Sequence, residues 1–173
     1  MAAAVDGRHT SWSPNRSRLS GLVAIATAGE LGTQDALLAN AWAGQGLLGA
    51  GLYLWGRSIH SPVAGVASVL AACALVPLVV LGRMLTFYPV IVGTLTFATG
   101  AVAVYWRHPG ARTATFAVLG IGLALLVDLR GLLWALPLLG LAGLRALAQR
   151  SARSAITQVV ILGGAIYLSL IHI

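Results

Sequence analysis

The sequence predicts an all-α fold, a polytopic bundle of transmembrane helices. Three observations lead there. Of the 173 residues, 58% are hydrophobic and only 9% are charged, where a water-soluble domain carries about 25% charged residues. The mean hydropathy is +0.89, which suits a chain whose outer surface meets hydrocarbon instead of water. Apolar runs also recur at the length of a bilayer crossing, with arginines in the short gaps between them.

The runs fall at 36–56, 62–82, 86–106, 110–127, 131–148 and 155–167, giving five complete spans and a truncated sixth. The stretch 113–148 is too long for one span, since a helix of that length would reach about 54 Å. Asp128-Leu129-Arg130-Gly131 in its middle marks a hairpin turn. Pro62 and Pro89 stand at helix starts, where a missing N–H costs nothing, and Pro109-Gly110 breaks the chain between runs. Pro77 and Pro137 lie inside runs and are expected to kink them. Ala64, Ser68 and Ala72, and Gly120 and Ala124, are spaced for close helix packing.

Charge supplies the orientation. All eleven basic residues are arginine, against four acidic ones, for a net charge of +7. Scattered between apolar runs, they read as a topology signal and not as a nucleic-acid surface, so no nucleic-acid partner is expected. Six arginines occupy alternate gaps (Arg57, Arg107, Arg112, Arg145, Arg150, Arg153), and the opposite gaps hold two, Arg83 and Arg130. The positive-inside rule puts the richer set in the cytoplasm. Trp55, Tyr105 and Trp106 then form one interfacial belt, and Trp42, Tyr88 and Trp134 the other. The Ala, Gly, Leu and Arg bias points to a bacterial cytoplasmic membrane.

Residues 1–35 form an outer polar tail with Arg8, Arg16 and Arg18, and 19–29 suit a short interfacial helix on the outer surface. No preceding helix carries this tail across, so an upstream span is expected. The last six residues, Leu168 to Ile173, match one reading frame of a transposon-based sequencing adapter and are expected to be read-through.

Charges at span edges are the candidate functional groups, because they are costly there. Asp128 and Arg130 at the outer turn, and Arg83 at the outer mouth between the second and third runs, suit contact with a phosphate or sugar. A solvated turn and a snorkelling anchor are the competing readings. Asp6, in the outer tail, is a general-base candidate, although a carboxylate in a tail is more often merely solvated. His60 and His108 lie in gaps without metal-ligand spacing, so no metal site is expected from the residues. The single cysteine, Cys73, reads as a small packing residue. No phosphate-binding glycine loop, paired cysteines or nucleophile elbow is present.

The stretch from Phe116 to Leu144, FAVLGIGLALLVDLRGLLWALPLLGLAGL, resembles the helical hairpin of GT-C glycosyltransferases. That group includes dolichyl-phosphate-mannose mannosyltransferase-like and aminoarabinose-transferase-like membrane enzymes. Leu119-Gly120, Gly122-Leu123-Ala124-Leu125-Leu126 and Pro137 carry the pattern. Residues 46–77 resemble the early helices of that family, and Trp12-Ser13-Pro14 followed by Leu31-Gly32-Thr33 is similar to its first outer loop. The likeness covers most of 12–148. Two features depart from it. The turn reads Val-Asp-Leu-Arg where many members have Thr-Lys-Pro-Thr, and the first outer loop with the catalytic carboxylate is missing, unless Asp6 is its remnant.

The resemblance implies transfer of a sugar from a polyprenyl-phosphate donor to a glycan, lipid or protein acceptor at the outer membrane face. No cofactor is evident, although the family leaves room for a divalent metal. A transporter or permease subunit and a non-catalytic membrane scaffold are the alternative readings. A transporter would want ionisable residues deep within spans, facing a pathway.

Overall fold

A computed structural model describes residues 33–75, 88–127 and 131–148, together with Thr157 and Val160. Among the described residues there are five α-helices and no strand. They are α1 (Thr33–Ile59), α2 (Pro62–Ala74), α3 (Tyr88–Arg107), α4 (Ala111–Val127) and α5 (Gly131–Leu147). The expected interfacial helix at 19–29 and the sixth run at 155–167 lie outside these five elements; of the latter only Thr157 and Val160 are described, both helical.

Local chemistry sets the boundaries. Ser61 is extended and caps α2, its hydroxyl accepting a hydrogen bond from the Ala64 N–H at 3.2 Å, with Pro62 in the first turn. α2 ends at Ala74, where Leu75 takes an extended conformation; the rest of the run expected to reach 82 lies outside the described residues. Pro77, two residues beyond the cap, is the sequence feature that disfavours a longer helix here. Pro137, by contrast, lies inside a continuous α5. The α3–α4 turn is closed by Thr113, whose hydroxyl donates to the His108 carbonyl at 2.6 Å.

The central element is α3, which packs against α1, α4 and α5; α2 lies on α1, and α5 also touches α4. The closest seam joins α1 and α3. A Cβ on Gly44 would collide with the Pro89 backbone, and one on Gly93 with the Gly44 carbonyl. Seven residues further along each helix, Gly51 meets the Thr96–Phe97 backbone and Gly100 meets the Gly51 carbonyl. The pairs advance together, so α1 and α3 run parallel. A seven-residue repeat of contacts is the period of a left-handed crossing. The α1–α2 hairpin closes on a similar contact, with Gly65 set against the Tyr53 carbonyl and Gly56 against Ala64 and Ser68.

The buried set is made of small residues. Ala98, Ala101, Ala114, Ala117, Ala142 and Ala146 are fully buried, with Tyr105 and Ile121 the largest side chains among them. Phe97 and Phe116 meet edge to face at 5.3 Å across α3 and α4. Outside stand the large apolar groups: Trp42, Val63, Leu70, Leu119, Leu133, Trp134, Leu144 and Leu147 are each exposed by more than half. Hydroxyls within the helices bond back to their own backbone, as Thr96 does to Val92 at 2.8 Å and Thr99 to Leu95 at 2.9 Å.

By length and composition, α3 is the one described helix long and apolar enough to cross a membrane. α1 is longer, at 27 residues, but Asn40 and Gln45 dilute its apolar character. α4 and α5 have 17 residues each, and α2 has 13.

Candidate functional site

The C-termini of helices leave carbonyls without partners inside the helix, and three such ends gather at one end of this bundle. Arg107, in the last turn of α3, donates from Nε to the Ser58 carbonyl at 2.9 Å and from Nη2 to the Ile59 carbonyl at 3.1 Å. Arg145, in the last turn of α5, donates from Nε to the Trp106 carbonyl at 2.8 Å. Each arginine therefore caps the end of a neighbouring helix, where a cation also meets the negative end of the helix dipole. These bonds fix the C-termini of α1, α3 and α5 side by side, so the gaps holding Arg57, Arg107, Arg112 and Arg145 lie at a common end.

Between α1 and α5, with α3 as its floor, runs an open groove of about 480 Å³. Trp55, Ser58 and Ile59 line it from α1, Thr99, Val102, Ala103, Trp106 and Arg107 from α3, and Leu138 and Leu141 from α5. The two hydroxyls are already engaged, Ser58 with the Trp55 carbonyl at 2.7 Å and Thr99 with that of Leu95. A smaller cavity of about 230 Å³ between α1 and α2 is lined by Gln45, Leu48, Gly49, Leu52, Val69, Ala72 and Cys73. Cys73 is exposed there, where the sequence suggested a packed position.

The residues singled out for chemistry are not in this region. Asp6, Arg83, Asp128 and Arg130 all lie outside the described residues. The described helix ends nearest to three of them, at Tyr88, Val127 and Gly131, share the end opposite the arginine caps, because α4 turns back along α3 and α5 returns beside them. Among the described residues, no three of His, Cys, Asp and Glu gather as metal ligands.

Two residues read differently in three dimensions. Tyr105, expected in an interfacial belt, has no exposed surface and sits in the core, whereas its neighbour Trp106 is 44% exposed. The periodicity of α3 turns Tyr105 toward α4 and α5. Asn40, not singled out in the sequence, is buried, and its Nδ2 has no hydrogen-bond partner. A polar side chain within an apolar run was the available signal. It lies one turn before Gly44, on the face that meets the start of α3.

No family model, curated protein or solved structure matches the chain.

Proposed function

We propose that this chain is the polytopic membrane bundle of a polyprenyl-phosphate-dependent glycosyltransferase in the cytoplasmic membrane of a bacterium. The membrane part rests on one observation, the inverted distribution of side-chain size. Alanine and glycine make up much of the interior, while leucine, valine and tryptophan stand on the exterior of α2, α4 and α5 and tryptophan on that of α1. In water this would leave a very large apolar patch exposed. In lipid, helices associate through small residues at close range and turn large apolar groups outward. The 17 residues of α4 and of α5 reach the short end of the roughly 17–25 residue range for a span.

The reaction rests on the resemblance of 116–144 to a GT-C hairpin. In that reading, α4 and α5 are its arms, and the turn at 128–130 faces outward. An outer-loop carboxylate deprotonates the acceptor hydroxyl, which attacks the anomeric carbon and displaces the polyprenyl phosphate. Arg83 and Arg130 stabilise the charge growing on the departing phosphate. A transporter fits less well, since the described helices carry their charges near their ends: Asp35, Arg57, Arg107, Arg112 and Arg145.

Two measurements test the two parts. With the exposed Cys73 first replaced by alanine, a cysteine at position 129 should react with an impermeant maleimide in intact spheroplasts, and one at 108 only after permeabilisation. The reverse pattern would overturn the orientation. In the full-length gene product, Arg130→Ala should lower sugar transfer from a polyprenyl-phosphate donor on the order of a hundredfold. Correct insertion without any transfer would replace the enzyme reading with the scaffold.

A further inference from the structure

The groove at the arginine-capped end has a shape and chemistry that the sugar-transfer reading does not use. Its floor extends along α3 from Thr99 to Arg107, about 12 Å of helix axis. Along that length it offers apolar surface, because both lining hydroxyls are satisfied by their own helices. At its mouth Trp55 and Trp106 are each 44% exposed, amphipathic rings of the kind that settle at headgroup depth. Arg107 closes the same end. The carbonyls of Ser58 and Ile59 hold its guanidinium in place and engage two of its five N–H donors. Among the described residues the one carboxylate, Asp35, stands in the first turn of α1, at the opposite end of that helix.

A long apolar slot that ends in a fixed guanidinium, at the end where Arg57 and Arg112 also stand, is complementary to one kind of molecule. We propose that the groove binds an anionic phospholipid of the cytoplasmic leaflet, one acyl chain lying along α3 and the phosphate held by Arg107. The proposal rests on the membrane reading and not on the glycosyltransferase reading, and it concerns the end opposite the outer turn. Held by two carbonyls before any lipid arrives, the guanidinium loses little freedom on binding, and guanidinium–phosphate geometry favours paired hydrogen bonds. The lipid would fill the space between α1 and α5 that the described side chains leave open.

The test is native mass spectrometry of the full chain released from nanodiscs containing equal phosphatidylglycerol and phosphatidylethanolamine. The wild type should retain phosphatidylglycerol over phosphatidylethanolamine by about fivefold, the effect of one arginine contact near the surface. Arg107→Gln should abolish the preference. Ala103→Phe, which fills the slot but leaves Arg107 and its carbonyl partners in place, should lose both lipids. Arg57→Gln, at the same end but outside the groove, should change neither. Equal retention of the two lipids by the wild type overturns the proposal, as does a preference that survives Ala103→Phe. If Arg107→Gln fails to insert, Ala103→Phe decides alone. A wild-type chain that stays in solution without detergent defeats the membrane reading and this proposal together; an inserted chain without lipid preference defeats only this one.

Discussion

On the α1 side of α3, backbone meets backbone; on the α5 side, a groove remains and the tie across it is a side chain. The first contact is made by Gly44, Gly51, Gly93 and Gly100, two on each helix at a spacing of seven. The second depends on Arg145 reaching the Trp106 carbonyl, while Leu138 and Leu141 stand at the wall of a cavity of about 480 Å³. The difference lies in the residues at the crossing. Glycine lets two helix axes approach until carbonyls and Cα atoms touch, which gains dispersion contacts and short Cα–H···O contacts. Leucine holds them apart. In water such a gap would tend to collapse under the hydrophobic effect; in the proposed membrane setting lipid, as apolar as leucine, would supply no such drive.

The comparison breaks most decisively at Gly51. A leucine there has no free volume, because the Thr96–Phe97 backbone occupies the site of the new Cβ and backbone cannot rotate away. Gly51→Leu should lower the unfolding free energy in detergent by on the order of 3 kcal/mol or more. Gly46 is the control on the same helix, since a Cβ there would meet nothing within 4 Å. Gly46→Leu should leave the denaturation midpoint unchanged or raise it slightly, by the helix propensity that glycine lacks. Equal losses in the two variants would mean that the glycine seam does not hold α1 to α3.

A smaller effect tests the other side. Arg145→Gln removes a charge-assisted hydrogen bond to a helix C-terminus. The bond is exposed, so its loss should cost about 1 kcal/mol, below the usual range for buried charged bonds. The loss should shrink at high salt in the part that comes from the helix dipole. If Arg145→Gln destabilised as much as Gly51→Leu, the contrast between the two sides of α3 would fail.

Much of this architecture was legible in the sequence, and the illegible part has a physical cause. Helices and their gaps follow from apolar runs and from Pro62, Pro109 and Gly110, because these act on the local backbone. Grouping arginine gaps by alternate runs anticipated that Arg57, Arg107 and Arg145 would share one end. Their capping of one another's helices was not legible, since it depends on reach across 39 and 49 residues of sequence. Glycine spacing was visible as packing potential, yet which glycine met which required the register of α1 on α3. Tyr105 and Trp106 show the limit most sharply. Adjacent aromatics read alike as an interfacial belt, but a rotation of about 100° per residue sends one into the core and leaves the other at the groove. The candidates Asp6, Arg83, Asp128 and Arg130 were chosen from the cost of charge near lipid, an argument that names residues without bringing them together.

The smallest effect has the opposite sign. Gly122 and Gly143 lie within α4 and α5, and a Cβ on either would meet nothing within 4 Å. No close approach requires glycine at either position, so its backbone entropy is a cost without a packing return. Gly143→Ala and Gly122→Ala should each raise stability by about 0.5–1 kcal/mol, read as a later midpoint in thermal melts of the detergent-solubilised chain. Gly120 is the counterexample two residues away on α4, where a Cβ would come within 3.1 Å of Ala98 Cα and the same substitution should gain nothing or lose. Opposite signs at Gly120 and Gly122 would show that open space, and not helix propensity alone, decides which glycines this bundle needs. A loss at Gly143 or Gly122 would instead mean that their outward faces are packed against another helix.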